Sequence, residues 1–316
     1  MGEEAPLLSI PEAPAPPGAR AEWFEGAGGL RLRAALAPHP SPRGSVIVSP
    51  GRAEPIEKYF EVAGELAARG FTVLIHDWRG QGLSARLTSD RLRGHAAGVE
   101  PFLQDFHRLI AAFEDRLPGP RIALGHSMGG LLTGLAVVET PGWLAGAVLT
   151  APMMGVLTGG RSLRSVRFQA AVARGLGLGV QYLPVRTDPL AVAFADNVLT
   201  HDEERWNRYK AQLAAFPELR LGRVTWGWLH FALQATARAA LNAKTADLRD
   251  RVTLVIAEQE QLVDNAASAV FAERAGARLI EVKGARHEIL METDAIRAVF
   301  WSEFDRLADR LAPRRG

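Results

Sequence analysis

The chain is 316 residues long, 47% hydrophobic and 23% charged, which supplies a large core and leaves room for an insertion beyond one simple domain. It contains no cysteine, so disulfides, thiol catalysis and thiolate metal sites are excluded; no other metal constellation is visible and no cofactor is expected. The net charge is only +2, with arginine supplying nearly all the basic residues, which argues against a dedicated nucleic-acid binder.

The opening Met1-Gly2-Glu3-Glu4-Ala5-Pro6 is acidic and lacks the basic and long apolar regions of a signal peptide, and Pro6 stands where myristoylation needs Ser or Thr. No later stretch approaches the ~20 uncharged apolar residues of a membrane span, so a cytoplasmic chain is expected. Residues 1–20, with a Pro- and Ala-rich run at 12–18, are expected to form an extended arm. Residues 22–37 predict a hairpin turning through Gly26-Ala27-Gly28-Gly29. Strand 44–49, helix 55–69, strand 71–76, helix 99–116, strand 121–126, helix 128–139 and strand 145–150 follow. After an interruption come strand 251–257, helix 265–275, strand 278–283 and helix 293–311. Strands separated by helices of this length predict an α/β core, residues 21–151 and 247–316, with a mostly parallel sheet and helices on both faces. In the turn after strand 71–76, Asp77 and Arg79 are read as a pair that fixes the turn.

The interruption, residues 152–246, lacks strong strand signals and reads as several helices broken at Gly159-Gly160, Pro184, Pro189 and Pro217. Inserted between two strands, it is expected to lie above their C-terminal ends, where α/β sheets bind ligands, as a helical cap. Its apolar residues include Met153, Met154, Leu163, Phe168, Leu183, Trp226, Trp228 and Phe231. Most are expected to hold the cap to the core, with Trp226 and Trp228 as candidates for lining an apolar pocket. Arg161, Arg164 and Arg167, with Arg174 beyond, recur at i, i+3 and form one basic stripe if the segment is helical. That stripe is either a solvated face or a peripheral contact with anionic lipid, although the apolar residues around it are not cleanly segregated.

The strongest chemical signal is Ile122-Ala-Leu-Gly125-His126-Ser127-Met128-Gly129-Gly130, where an apolar run ends in Gly-x-Ser-x-Gly and a helical pattern begins. A strand, a turn too tight for side chains beside it and a helix N-terminus are what a nucleophilic Ser127 needs. The pattern alone fits a glycine-rich connection equally well, so a base and an orienting acid decide the matter. The base candidate is His287, in a Gly-bearing loop after strand 278–283; the other seven histidines have no such position. Strand 251–257 is followed by Glu258-Gln259-Glu260-Gln261-Leu262-Val263-Asp264. Glu260 is favoured as the acid, with Asp264 as the alternative, because Asp264 precedes a helix and has a ready role as its N-cap.

Three motifs together, Gly125-His126-Ser127-Met128-Gly129-Gly130, Asp77-Trp78-Arg79-Gly80-Gln81-Gly82-Leu83-Ser84 and Gly284-Ala285-Arg286-His287-Glu288, resemble the serine α/β-hydrolases of the monoacylglycerol lipase and bacterial lysophospholipase L2 group. The resemblance covers about residues 22 to 311. Two stretches look like the lysophospholipase L2 branch: Ser49-Pro50-Gly51-Arg52-Ala53-Glu54-Pro55, where monoacylglycerol lipases show a His-Gly pair, and Asn197-Val198-Leu199-Thr200-His201 with Leu221-Gly222-Arg223-Val224-Thr225-Trp226-Gly227-Trp228 downstream. The resemblance implies the α/β-hydrolase fold and the order Ser, acid, His along the chain. In the wider group the acid is an aspartate four residues before a second aspartate; here those positions are Glu260 and Asp264, a departure that still favours Glu260. The oxyanion hole implied is the backbone N–H of Arg52 and of Met128, with the Arg52 side chain an ordinary loop arginine.

The function expected is carboxylic ester hydrolysis through an acyl-enzyme, on lysophospholipid or monoacylglycerol-like esters, with a small-molecule or lipid ester as partner and no obligate protein partner. A short-chain carboxylesterase or lactonase shares the same residues, because leaving-group choice resides in the cap. Dehalogenase and epoxide hydrolase chemistry on this fold needs a carboxylate where Ser127 stands. A non-catalytic ligand-binding protein is expected to have lost a triad residue, and none is lost.

Overall fold

A computed structural model describes residues 2–184 and 190–314; the predicted break at Pro189 lies outside the described residues. Nine strands form one sheet: β1 (Glu4–Ala5), β2 (Arg20–Glu25), β3 (Arg31–Ala37), β4 (Gly44–Ser49), β5 (Phe71–His76), β6 (Arg121–His126), β7 (Gly146–Thr150), β8 (Val252–Ala257) and β9 (Arg278–Val282). Their order is β1-β2-β3-β5-β4-β6-β7-β8-β9. The pairs from β1 to β5 are antiparallel and the remainder parallel. β4, β5, β7 and β8 are buried along their whole length, as largely apolar strands covered on both faces are. Alternate side chains enter alternate cores. Ile47, Leu74, Leu149 and Leu254 pack with Phe102 and Phe106 of α2 (Glu100–Phe113) and Leu131 and Leu135 of α3 (Ser127–Glu139). Val48, Ile75, Val148 and Val255 pack on the other side with Phe60 and Leu66 of α1 (Phe60–Ala68) and with Phe300 and Phe304 of the C-terminal helix Asp294–Leu311.

The predicted core elements match within a residue or two, apart from helix 55–69, which opens as a 3-10 turn over Ile56–Tyr59 before α1, and helix 99–116, whose α-helical part ends at Phe113 and whose last turn, Glu114–Arg116, is 3-10. The N-terminal segment is not a free extension at its start. Glu4–Ala5 joins the sheet opposite Glu22 and Ala21, and Arg33 Nη1 donates to Pro6 O at 2.9 Å. Asp77 and Arg79 do not pair with each other, contrary to expectation. Asp77 Oδ2 accepts from Arg33 Nε and from Leu83 N, both at 2.8 Å, and Arg79 Nε donates to Asp105 at 2.5 Å. The turn is therefore fixed by two separate ion pairs to the sheet and to α2.

Between β7 and β8 lie α4 (Leu163–Gly175), α5 (Glu203–Ala215) and α6 (Trp226–Asn242). α6 packs into the core itself, with Phe231 stacked on Phe102 at 4.7 Å between ring centroids. α4 begins only at Leu163, where Ser162 Oγ caps it by accepting from Ser165 N at 3.2 Å, so Arg161 precedes the helix and its guanidinium donates to Gln169. The basic stripe is thus Arg164, Arg167 and Arg174. Beside it Phe168, Val172 and Leu176 follow at i, i+4 and i+8, with Phe168 and Leu176 each 70% exposed. Neither Leu163 nor Phe168 ties this segment to the core, since both are exposed.

Candidate active site

β6 ends at His126 and α3 begins at once, so Ser127 takes a left-handed φ of 51°, a strained conformation for a residue with a Cβ. Met153 N holds it by donating to Ser127 O at 3.0 Å. The flanking glycines are required by close approach. A Cβ on Gly129 would stand 2.2 Å from Ser49 O, and one on Gly125 2.8 Å from Gly130 Cα.

The loop after β9 carries His287 to this serine. His287 Nε2 lies 3.0 Å from Ser127 Oγ, and His287 Nδ1 lies 2.8 Å from Glu260 Oε2. Glu260 Oε1 accepts from Leu262 N at 2.7 Å and from Val263 N at 3.2 Å. Burial raises the Glu260 carboxyl, but the His287 bond and these two backbone N–H groups outweigh it and hold it below the ordinary range. Asp264 instead caps α7 (Asn265–Ala275), where its Oδ1 accepts from Ala266 N at 2.9 Å and from Ala267 N at 3.3 Å. The structure therefore brings Ser127, His287 and Glu260 together and leaves Asp264 outside the chain of contacts.

Arg52 N and Met128 N have no hydrogen-bond partner among the described residues and line the same cavity as Ser127. Their neighbours are occupied. Gly51 N donates to Glu54 Oε2 at 2.5 Å, Ala53 N to Gln81 Oε1 at 3.2 Å, and Trp78 Nε1 fixes Pro50 O at 2.8 Å. Two free donors beside a serine hydroxyl suit a developing oxyanion.

Behind the site is a cluster that sequence reasoning missed. Lys58 Nζ donates to Glu54 Oε1 at 2.7 Å and to Glu288 Oε1 at 2.5 Å, and Tyr59 Oη donates to Glu54 Oε2 at 2.7 Å. The side chains of Lys58, Glu54 and Glu288 are 2%, 6% and 10% exposed. Burial raises Glu54, but Lys58 and His126 overcome it and hold its carboxyl at about 2. Burial and the Glu54 charge push Glu288 up, against the pull of Lys58. Burial lowers His126, whose ring is 4.9 Å from that of His287, to about 4, so it is neutral at physiological pH. The i, i+4 spacing of Glu54 and Lys58 was a visible signal; Glu288, 230 residues away, gave none.

These groups open on a cavity of about 530 Å³, of small-ligand size, whose apolar wall includes Met153, Leu213, Trp228 and Val263. Trp228 stands where the sequence suggested. Trp226 does not line the cavity; it packs against Val166, Ala170 and Leu233, fastening α4 to α6. The Arg52 side chain is no ordinary loop arginine: it folds into the cavity wall, where Nη1 donates to Gly222 O at 2.8 Å.

A family model described as "Serine aminopeptidase, S33" matches residues 40–294. The chain is 35% identical over 275 residues to lysophospholipase L2 of Escherichia coli K12, covering 80% of this chain and 77% of that one. It is 28% identical over 276 residues to a monoacylglycerol lipase of Mycolicibacterium smegmatis, covering 86% and 91%. Among solved structures, a soluble variant of Saccharomyces cerevisiae monoglyceride lipase in complex with a substrate analog superposes with a TM-score of 0.71 at 17% identity, over 98% of this chain and 99% of that one. That likeness shows the α/β-hydrolase fold.

Proposed function

The chain belongs to the serine hydrolase family described as "Serine aminopeptidase, S33", and on that footing we propose that it hydrolyses acyl esters of lysophospholipid or monoacylglycerol type through Ser127, His287 and Glu260. The observation that carries the reading is the unbroken contact chain from Ser127 Oγ through both His287 nitrogens to Glu260, at 3.0 and 2.8 Å, opening on a mostly apolar cavity. Ser127 Oγ attacks the ester carbonyl carbon while His287 Nε2 takes its proton, and Glu260 keeps Nδ1 protonated and stabilises the imidazolium. Charge on the carbonyl oxygen is met by the N–H groups of Arg52 and Met128. The carbon–oxygen bond to the alcohol then breaks, and the alcohol leaves with the proton from His287. Water, losing a proton to the same nitrogen, releases the fatty acid and regenerates Ser127.

The cap residues support a lipid surface as the place where substrate is met. α4 presents Phe168, Val172 and Leu176 beside Arg164, Arg167 and Arg174, an apolar strip next to a basic one on the face away from the buried Val166, Ala170 and Ala173. Among the described residues no helix is long and apolar enough to cross a membrane, so contact through α4 is peripheral.

The test is covalent labelling by a fluorophosphonate together with turnover across p-nitrophenyl esters of rising chain length, monoacylglycerol, lysophosphatidylcholine and an aminoacyl anilide. We expect labelling, lost in Ser127→Ala, and a turnover loss of roughly 10⁴-fold in Ser127→Ala and in His287→Ala, since members of such a triad act as a unit. An unlabelled wild type points to a binding protein. Turnover confined to short acyl chains points to a carboxylesterase.

A further inference from the structure

The chemistry above uses the Arg52 backbone N–H and leaves its guanidinium without a role. That guanidinium is held in a built seat. Nη1 donates to Gly222 O at 2.8 Å, and Cζ sits 5.9 Å from the Trp228 ring centroid. Gly94 leaves the space it needs, since a Cβ there would stand 3.1 Å from Nη1. Yet no carboxylate of the described residues lies within ion-pair distance of it. Glu54, whose charge favours the cation, is itself engaged by Lys58 Nζ, Tyr59 Oη and Gly51 N. Of the three guanidinium nitrogens only Nη1 has an acceptor among the described residues. Burial lowers its pKa to about 10, which leaves it charged at neutral pH.

A cation drawn partly out of solvent into a cavity wall, with no ion-pair partner among the described residues, favours a ligand that supplies the opposite charge. Position narrows the ligand further. The guanidinium is one side chain's length from the backbone N–H that faces the ester oxygen, and in a lysophospholipid the phosphate follows the acyl ester along the same short glycerol unit. A planar fork with two unused nitrogens fits phosphate oxygens.

Building on the ester-hydrolase reading, we propose that the Arg52 guanidinium binds the phosphate of the leaving glycerol group, so that the preferred substrate is a lysophospholipid rather than a neutral monoacylglycerol. The experiment compares kcat/KM for 1-acyl-sn-glycero-3-phosphate and for 1-acylglycerol of the same short acyl chain, both monomeric, so that surface binding through α4 plays no part. In wild type the phosphate ester is preferred. In Arg52→Gln the ratio of the two falls roughly 10- to 100-fold, the size of a charged hydrogen bond. The ratio cancels any shift of the oxyanion loop or loss of folded fraction. Arg52→Lys, which keeps the charge and loses the fork, retains part of it. A ratio unchanged within about threefold in Arg52→Gln overturns the proposal. sn-Glycero-3-phosphate should also compete with a neutral p-nitrophenyl ester in wild type and at least tenfold less in Arg52→Gln. Inorganic phosphate competing equally well overturns the assignment to the leaving group. Failure of wild type to turn over any of these esters instead sinks the ester-hydrolase reading.

Discussion

Lys58 is the cation that joins two buried carboxylates on different loops, and Lys58→Met removes it while roughly preserving side-chain length. Nζ lies 2.7 Å from Glu54 Oε1 and 2.5 Å from Glu288 Oε1, and all three side chains are at most 10% exposed, so the variant leaves two acids in the interior with no ammonium between them. Removing one partner of a buried ion pair costs about 3–5 kcal/mol. At about 2 °C per kcal/mol for a chain of this size, Tm falls by roughly 6–10 °C. The loss depends on pH. Glu288 already has a raised pKa, so the folded state holds its proton more tightly than the unfolded chain does, and stability is lost as pH rises through the window between the two values. Without Lys58 that window widens upward, so the deficit is larger at about pH 8 than at about pH 5. Glu288→Gln in the same background removes one uncompensated charge and restores part of the stability, a coupling of at least ~1 kcal/mol. Thermal or urea unfolding of the four variants of the cycle measures this. A Tm shift under about 2 °C, or additive behaviour of the two substitutions, refutes the reasoning.

Glu260→Gln should lower kcat/KM far more than Asp264→Asn, because only Glu260 touches His287. Asp264→Asn should chiefly lower Tm, by the roughly 1 kcal/mol of a weakened N-cap, and the reverse order of kinetic penalties makes Asp264 the acid. Replacing Arg164, Arg167 and Arg174 by Gln should reduce turnover on anionic vesicles at low salt and leave a monomeric short-chain ester untouched, with the difference shrinking as ionic strength rises. Phe168→Ser with Leu176→Ser should weaken vesicle binding at every salt concentration, and equal effects on both substrates would reduce α4 to ordinary surface.

The sheet was legible in the residues because burial on two faces writes itself locally: Val252–Ala257 is apolar but for Thr253 wherever it sits, and its neighbours must be helices that cover it. The glycines beside Ser127 were legible for a similar reason, since the backbone of β4 approaches too closely for any Cβ at Gly129. Asp264 could be recognised as a cap from its place before Ala266 and Ala267, which leaves Glu260 free to meet His287. Partnerships between distant segments were not legible. Asp77 and Arg79, two residues apart, look like a pair, but successive side chains in a turn diverge, and each finds its counter-charge on another element, Arg33 or Asp105. Trp226 and Trp228 differ by about 200° around α6, so one faces α4 and the other the cavity; spacing gives that divergence, but only the placement of α6 says which is which. Lys58 and Glu288 meet across 230 residues because the fold brings the segments after β4 and β9 to one edge of the sheet, and the Arg52 guanidinium reaches Gly222 across 170 because the inserted segment is laid over that edge. Hydrophobic period is a property of each segment, whereas charge pairing is a property of which segments the topology makes neighbours.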